Sequence, residues 1–177
     1  MVFKYAHRGD DGYTDVIGQR ISKDSPVIEF IGELDELVSL MGVVKAYLSE
    51  SKVLDIVDLL DRIQRKLMFI AGYVASMGRM ASPIDDNDLA SIEKLINDFS
   101  NRVVLPSKFV VPGSSLSSAL IHFLRAVCRR VERRAVKLLR DGMLDKTTYM
   151  YLNRLSDLLY MLGLYINVVS NVKEDLL

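Results

Sequence analysis

The sequence predicts an all-α fold: a five-helix bundle of four long helices and one shorter helix, preceded by an N-terminal arm. Apolar residues recur at three- and four-residue steps over most of the chain after residue 26, and no stretch with strand-like alternation competes with them. Half of the residues are hydrophobic and 26% are charged, which is enough apolar material for one core. We therefore expect residues 1–26 to form the arm and residues 27–177 to form a single helical-bundle domain.

The first two predicted helices are long and amphipathic. The first begins at Val27, and its apolar stripe runs on to Leu48. The second has a stripe that includes Ile56 and Val74, and it ends near Gly78. Glycine at that position suits the left-handed conformation that often terminates a helix.

A shorter third helix follows Pro83, which breaks the chain. The run DDND at 85–88 offers carboxylates for its N-cap. Residues 103–115 contain two of the four prolines and show no helical pattern. We predict that they form a structured loop with short extended pieces.

The last two predicted helices are again long. The fourth runs from about Ser115 to Arg140 and stops at Gly142, a natural C′ residue. Asp145 is placed to cap the fifth helix, whose leucine stripe follows directly.

Composition excludes several classes of protein. There are 23 basic and 23 acidic residues, a balance that argues against a bulk nucleic-acid binder. The single cysteine, Cys128, rules out a disulfide framework and fits a reducing compartment, and no signal-peptide pattern opens the chain, so we expect a cytoplasmic protein. The apolar stretches 67–75 and 158–169 are shorter than the roughly 20 residues that a spanning helix needs, so no membrane partner is expected.

One segment of the fourth helix, residues 125–134 (RAVCRRVERR), is unusually basic, and we call it the arginine ridge. Its charged members are Arg125, Arg129, Arg130, Glu132, Arg133 and Arg134. Guanidinium groups bind phosphate and carboxylate in planar pairs, so a cluster favours a polyanion. A solvated helix face and an oligomer interface are the alternatives. RNA binding is disfavoured, because no exposed aromatic residues alternate with the arginines.

A stripe of small residues lies beside the apolar stripe of the first helix. Gly32, Asp35, Ser39 and Gly42 recur at helical steps, so another helix or a flat ligand can approach closely. Tight helix packing explains the glycines equally well. Asp35 needs a cationic partner if it is buried.

The fifth helix places polar groups among leucines. Asn153 and Asp157 are one turn apart in YLNRLSDLLY, with Ser156 beside them. This pattern suggests a buried hydrogen-bond network. A structural ion pair between Asp157 and an arginine of the fourth helix is the alternative.

Familiar catalytic and metal motifs are missing from the sequence. Two histidines and one cysteine do not supply an ordinary zinc site, and there is no Glu-x-x-His pair. There is also no G-x-S-x-G, Walker A or G-x-G-x-x-G sequence. The glycine-rich RGDDGYTD at 8–15 remains a candidate phosphate site, in which backbone N–H groups act with Arg8 and Thr14.

Four blocks together resemble one family, the ATP:cob(I)alamin adenosyltransferases of the PduO type. The blocks are GDDG (9–12), SKDSPVIEFIGELDELVSLMG (22–42), FVVPGSSLSSALIHFLRAVCRRVERR (109–134) and YLNRLSDLLY (151–160). They follow the family's order and spread from end to end of the chain. The last two blocks are the specific ones, whereas GDDG alone would be weak.

The resemblance implies transfer of the 5′-deoxyadenosyl group from ATP to the cobalt of a reduced corrinoid, cob(I)alamin. The products would be adenosylcobalamin and triphosphate, and Mg²⁺ would bridge the phosphates. The nucleophile then belongs to the corrinoid, so no protein serine or cysteine is required. The resemblance also implies a homotrimer with active sites between subunits. A non-catalytic helical bundle that binds ATP or a corrinoid is the runner-up.

The resemblance assigns residues to the two substrates. On the nucleotide side it implies the arm, the phosphate lysine and one face of the last two helices: Arg8, Gly9, Asp10, Gly12, Thr14, Lys23, Arg129, Glu132, Arg133 and Asn153. On the corrin side it implies a salt bridge between Asp35 and Arg125. It also implies that Phe109 presses on the lower face of cobalt and excludes the lower axial ligand and water. Arg129, Phe109, Asp35 and Arg125 are thus the expected catalytic set.

The chain departs from the family pattern in the arm. A Thr-Lys-Thr-like run usually precedes the Gly-Asp pair, whereas this chain has Ala6, His7 and Arg8. Tyr13 stands where threonine is common, and the double glycine after Pro112 is reduced to one. Hydroxyl groups and a lysine are lost, and we expect Arg8 to compensate for them at the phosphates.

Overall fold

The computed structural model describes residues 7–50 and 54–177, so Ala6 lies outside the described residues. It confirms the five-helix fold. The helices are α1 (Pro26–Glu50), α2 (Leu54–Ala75), α3 (Asp86–Ser100), α4 (Leu116–Arg140) and α5 (Lys146–Val169). As expected, α3 is the short one, with 15 residues. None of the helices in the described ranges is long and apolar enough to cross a membrane.

The core lies between the apolar stripes of the helices. Helix α4 packs along α5 and α1, while α2 covers the other side of α1 and α3 packs on α5. Phe30, Leu34, Leu124, Val131 and Leu155 are fully buried at the centre of this arrangement. Helix α4 therefore lies between α1 and α5 and contacts both.

Helix ends are fixed by the capping residues that the sequence predicts. Asp85 forms a reciprocal capping box with Asp88 at the start of α3. Ser115 caps α4, and Asp145 caps α5 by accepting a hydrogen bond from the Thr148 N–H at 2.8 Å. Gly142, with φ of 70°, follows the end of α4, as expected.

The N-terminal arm differs from the expected loop, because it folds as a β-hairpin. Strand β1 (Tyr13–Val16) pairs antiparallel with β2 (Gln19–Ser22). The connecting residues Ile17 and Gly18 have φ of 40° and 78°. Two positive values suit a tight hairpin turn, but Ile-Gly lacks the Asn-Gly or Asp-Gly signal by which such turns are recognised.

The loop at 103–115 contains a second short sheet. Strand β3 (Val110–Val111) pairs antiparallel with β4 (Asp175–Leu176), the last strand of the chain. The Leu177 N–H donates to the Phe109 carbonyl at 3.1 Å. The loop that precedes α4 is therefore fastened by residues that follow α5.

Helices α4 and α5 are in close contact where His122 meets Gly163. His122 is only 5% exposed. A β carbon on Gly163 would lie 2.8 Å from Cε1 and 2.9 Å from Nε2 of the imidazole. These distances are shorter than real Cβ contacts, so the ring requires glycine at this position.

We predict that Gly163→Ala lowers the free energy of unfolding by about 1–3 kcal/mol, because the imidazole must move or the helices must separate. Gly72→Ala is the matched control, since nothing lies within 4 Å of the added carbon in the last turn of α2. Helix propensity makes that control neutral or stabilising by up to about 1 kcal/mol. Urea denaturation of both variants measures the difference, and equal stability of the two would contradict the close contact.

Candidate functional site

The arginine ridge is divided between two faces of α4. Arg130 and Arg134 point at α1, where Arg134 Nη2 lies 2.7 Å from Glu29 Oε1. Arg130 forms ion pairs with both Glu33 and Glu36, which raise the pKa of its guanidinium. These two arginines are neutralised by carboxylates, so they stabilise the α1–α4 contact.

The remaining three arginines of the ridge, Arg125, Arg129 and Arg133, form no ion pair with any residue in 7–50 or 54–177. Arg129 and Arg133 are exposed, and Arg125 is half-buried. The Arg125 guanidinium lies 5.2 Å above the ring of Tyr160 on α5, a cation–π contact. This half of the ridge presents three uncompensated positive charges to an anionic ligand.

A cavity of about 470 Å³ separates the 103–115 loop from helices α4 and α5, and we call it the loop cavity. Phe109, His122, Arg125 and Tyr160 are among its lining residues. The Phe109 side chain is 80% exposed, which is unusual for an aromatic ring. The cavity thus combines an accessible apolar ring with the cation of Arg125.

His122 forms the inner wall of the loop cavity. Its Nε2 atom is buried against Gly163 and has no hydrogen-bond partner within the described ranges. Burial and the nearby positive charge of Arg125 hold the pKa of His122 below its usual range. The imidazole is therefore neutral at pH 7, and the cations among the lining residues are Arg125 and Lys108.

A second polar cluster lies between α4 and α5. It consists of Glu132, Asn153 and Tyr149, and the sequence analysis did not identify Tyr149. The Tyr149 hydroxyl donates a hydrogen bond to Glu132 Oε1 at 3.0 Å. Burial and the Glu132 carboxylate raise the pKa of Tyr149, and a hydrogen bond from Asn153 opposes this rise. No motif includes Tyr149; only its position four residues before Asn153, one helical turn away, relates it to the site.

The expected buried network on α5 is wrong. Asn153 and Asp157 are exposed, and of the three polar residues only Ser156 is buried. Asp157 also makes no ion pair with an α4 arginine in the part of the chain that the structure describes. Leu152 and Leu155 face the core, whereas Asn153 points towards solvent beside the ridge.

In the arm, several of the residues predicted to bind phosphate lie close together. Arg8, Gly9, Thr14 and Lys23 line a cavity of about 330 Å³, the arm cavity. Lys23 Nζ donates to the Gly9 carbonyl at 2.7 Å, so a side chain on Gly9 would displace the lysine from this position. Arg8 pairs with Asp15 at 2.6 Å, so the residue expected to compensate for lost phosphate contacts is already engaged by a carboxylate.

The turn before β1 completes the arm. Gly12 has φ of 81°, a conformation that favours glycine, and its carbonyl accepts from the Lys23 N–H at 2.9 Å. Asp10 is exposed, with its carboxylate 3.4 Å from His7 Nδ1. Arg20, which the sequence did not single out, bonds Asp11 at 2.7 Å across the hairpin.

Asp35 lies in a cavity of about 420 Å³ between the arm, α1 and α2, and we call it the α1 cavity. Its lining includes Thr14 of the arm, Gly32 of α1 and Met68 of α2. Thr14 also lines the arm cavity, so these two spaces adjoin. Gly32 gives the open, mostly apolar face that the small-residue stripe suggested.

The expected salt bridge between Asp35 and Arg125 does not form within one chain. Asp35 is exposed and has no ion-pair partner among residues 7–50 and 54–177. It lines the α1 cavity, whereas Arg125 lines the loop cavity. A single chain therefore holds the two halves of the predicted site apart, each with a charge uncompensated.

Within the described ranges, no cluster of three or more histidine, cysteine, aspartate or glutamate side chains is arranged to hold a metal ion.

Comparison with known proteins shows which family this chain resembles. The family model described as cobalamin adenosyltransferase matches residues 4–166, a range that includes every candidate site residue. The corrinoid adenosyltransferase MMAB of Bos taurus is 35% identical over 169 residues, covering 91% of this chain and 70% of the relative. The corrinoid adenosyltransferase of Bacillus subtilis is 32% identical, covering 96% and 89%.

Solved structures share the whole fold. A variant of the PduO-type ATP:corrinoid adenosyltransferase of Lactobacillus reuteri, complexed with cobalamin and ATP, superposes with a TM-score of 0.89 at 26% identity, covering 100% of this chain and 96% of that one. Another variant, complexed with ATP, gives a TM-score of 0.90 at 26% identity, with 99% of both chains covered.

Proposed function

Because this chain belongs to the cobalamin adenosyltransferase family, we propose that its arm and the uncompensated half of the arginine ridge hold ATP while the loop cavity receives a corrinoid. The reaction is the transfer of the 5′-deoxyadenosyl group of ATP to the cobalt of a reduced corrinoid. Cob(I)alamin attacks the ribose C5′ with its electron pair, a cobalt–carbon bond forms, the C5′–oxygen bond breaks, and triphosphate leaves.

One observation supports this assignment above the others: an exposed Phe109 ring and the Arg125 cation line the same cavity, one helical turn from the unpaired Arg129. A plain nucleotide-binding protein needs the arginines and does not need the ring. A purely structural ridge would have all its arginines compensated, as Arg130 and Arg134 are.

On the nucleotide side, Arg129 and Arg133 would bind triphosphate oxygens through charged hydrogen bonds. These interactions strengthen as the leaving group gains charge, so they lower the barrier as well as the dissociation constant. Lys23, with the backbone of Gly9 to Gly12, would close over the phosphates from the arm. Glu132 and Asn153 would orient the ribose or the base at the edge of the ridge.

On the corrin side, Phe109 would occupy the lower face of cobalt and exclude both water and the lower axial ligand. Loss of that ligand makes cob(II)alamin easier to reduce to the nucleophile. Arg125 would bind beside the corrin, with Asp35 as its counter-ion. The protein thus contributes orientation and solvent exclusion, while the corrinoid supplies the reactive atom.

Mg²⁺ enters this proposal as part of the nucleotide substrate. The described residues do not form a protein-held magnesium site, so the ion would bind the phosphate oxygens of ATP. No step of the reaction described above is assigned to it.

We also propose a homotrimer with active sites between subunits. Asp35 and Arg125 are each without an ionic partner within the described part of one chain, and a neighbouring subunit can supply the missing partner to both. Met68 and Phe69 of α2 are 62% and 63% exposed, apolar area that a subunit contact would bury. In this arrangement residues 1–26 act as an arm of the 27–177 domain. A reducing, cytoplasmic location is part of the proposal. The sequence has a single cysteine, Cys128, and its thiol is free, which fits a compartment where disulfides do not form.

The proposed function is tested by mixing the protein with ATP, Mg²⁺ and chemically reduced cobalamin and following the absorbance of adenosylcobalamin. ATP-dependent formation of adenosylcobalamin with release of triphosphate is the expected result. Binding of ATP or cobalamin without product would instead support the non-catalytic binding protein.

We predict that Phe109→Ala leaves the Kd for ATP near its normal value and lowers turnover from cob(II)alamin at least tenfold, about 1.4 kcal/mol in the barrier. Val104→Ala is the control, since Val104 is an exposed apolar side chain of the same loop. Steady-state assays and ATP titrations measure the two quantities. An equal loss of ATP affinity and turnover would argue against the role of Phe109 at cobalt.

We predict that Arg129→Ala lowers kcat/KM about a hundredfold or more, roughly 3 kcal/mol, as expected for loss of a charged contact to the leaving group. Arg134→Ala is the matched control, because Glu29 already compensates Arg134. It should change kcat/KM less than about threefold. A kcat/KM near wild type for the Arg129 variant would remove that residue from the site.

We predict that Asp35→Asn and Arg125→Ala are coupled by about 1–3 kcal/mol in a double-mutant cycle on corrinoid affinity. Because the two side chains line separate cavities of one chain, coupling would require contact between subunits. Size-exclusion chromatography of each variant controls for loss of the trimer. Additive effects in an intact trimer would show that the two residues are not paired.

A further inference from the structure

We propose that Tyr149 is a positioning residue of the nucleotide site, whose hydroxyl holds the Glu132 carboxylate and thereby keeps it away from Arg129. The inference rests on the proposed function, since it concerns how the ridge remains open to triphosphate.

The contact joins two helices. Tyr149 lies in the first turn of α5, and its hydroxyl reaches Glu132 Oε1 on α4 at 3.0 Å. Asn153 lies one turn further along α5, where it opposes the rise in the pKa of Tyr149. Tyr149 and Glu132 are both half-buried, so the bond is partly shielded from water. The hydroxyl thus fixes one residue that we assign to the nucleotide, Glu132, and lies near a second, Asn153.

Glu132 has an obvious competing partner. It follows Arg129 by three residues, a spacing at which side chains are neighbours on a helix surface. A carboxylate among several guanidiniums is expected to pair with one of them. Within the described ranges, however, Glu132 forms no ion pair and accepts a hydrogen bond from Tyr149. A pair with Arg129 would neutralise the charge that the triphosphate needs.

The phenol suits this task better than a cation would. The pKa of tyrosine in water already lies well above 7, and burial and the adjacent carboxylate raise that of Tyr149 further. Its hydroxyl therefore keeps its proton at neutral pH and remains a donor. A neutral donor satisfies the carboxylate without adding a charge of its own. The Glu132 side chain is thus held in place, and the positive charge of Arg129 remains available to an anionic ligand.

Tyr149→Phe tests the proposal, because it removes one oxygen and keeps the ring. Calorimetric titration with Mg-ATP should show a Kd about five- to tenfold higher than that of the wild-type protein. The kcat at saturating ATP and the KM for the corrinoid should stay within about twofold, a split that general loosening of the fold would not produce. Tyr165→Phe is the matched control: Tyr165 is also on α5, but its ring packs against Phe99 with centroids 5.0 Å apart, and its variant should bind ATP normally.

The effect of Tyr149→Phe is then measured in a protein that already carries Glu132→Gln. Without the carboxylate charge there is nothing to compete for Arg129, so adding Tyr149→Phe should raise the Kd less than about twofold further. Multiplicative effects in the double variant, or an unchanged Kd in Tyr149→Phe alone, would overturn the inference. If the wild-type protein forms adenosylcobalamin but either contradicting result is found, the proposed function stands and the role of Tyr149 is rejected. Failure of the wild-type protein to form adenosylcobalamin would instead contradict the proposed function, while the ATP titrations would still test Tyr149.

Discussion

The arrangement of this molecule depends on how α1 divides the charge of α4. Glu29, Glu33 and Glu36 recur along one face of α1 and compensate Arg130 and Arg134. These ion pairs hold Arg130 and Arg134 against α1, and the other arginines of the ridge lie on faces of α4 that α1 does not compensate. A neutral chain can therefore present a strongly basic surface, because its acidic residues are placed where they compensate only part of the cluster.

The packing of α4 on α5 determines what surrounds that basic surface. The close crossing of His122 and Gly163 brings Tyr160 under Arg125, and further along the same pair of helices it brings Tyr149 to Glu132. Each aromatic side chain leaves the positive charge of the ridge intact. Rigid helix packing thus maintains several like charges close together, which is costly in the free protein and favourable once an anion binds.

Much of this could be predicted from the sequence, and the exceptions have physical causes. Helical periodicity and capping residues such as Asp85 and Asp145 identified all five helices, because they are local signals. The hairpin was missed because Ile17 and Gly18 make an unusual turn sequence, and β3 because its partner lies more than sixty residues away. The predicted burial around Asn153 was wrong, because composition does not show on which side of a leucine stripe a polar residue lies.

The pairing of β3 with β4 has a consequence for how the molecule is made. Phe109 lies beside a strand whose partner is synthesised only after α5. During translation, the nucleotide-facing surface can therefore mature before the rim of the loop cavity does. In a nascent chain, the backbone at Phe109 would be fastened only after α4 and α5 have been synthesised.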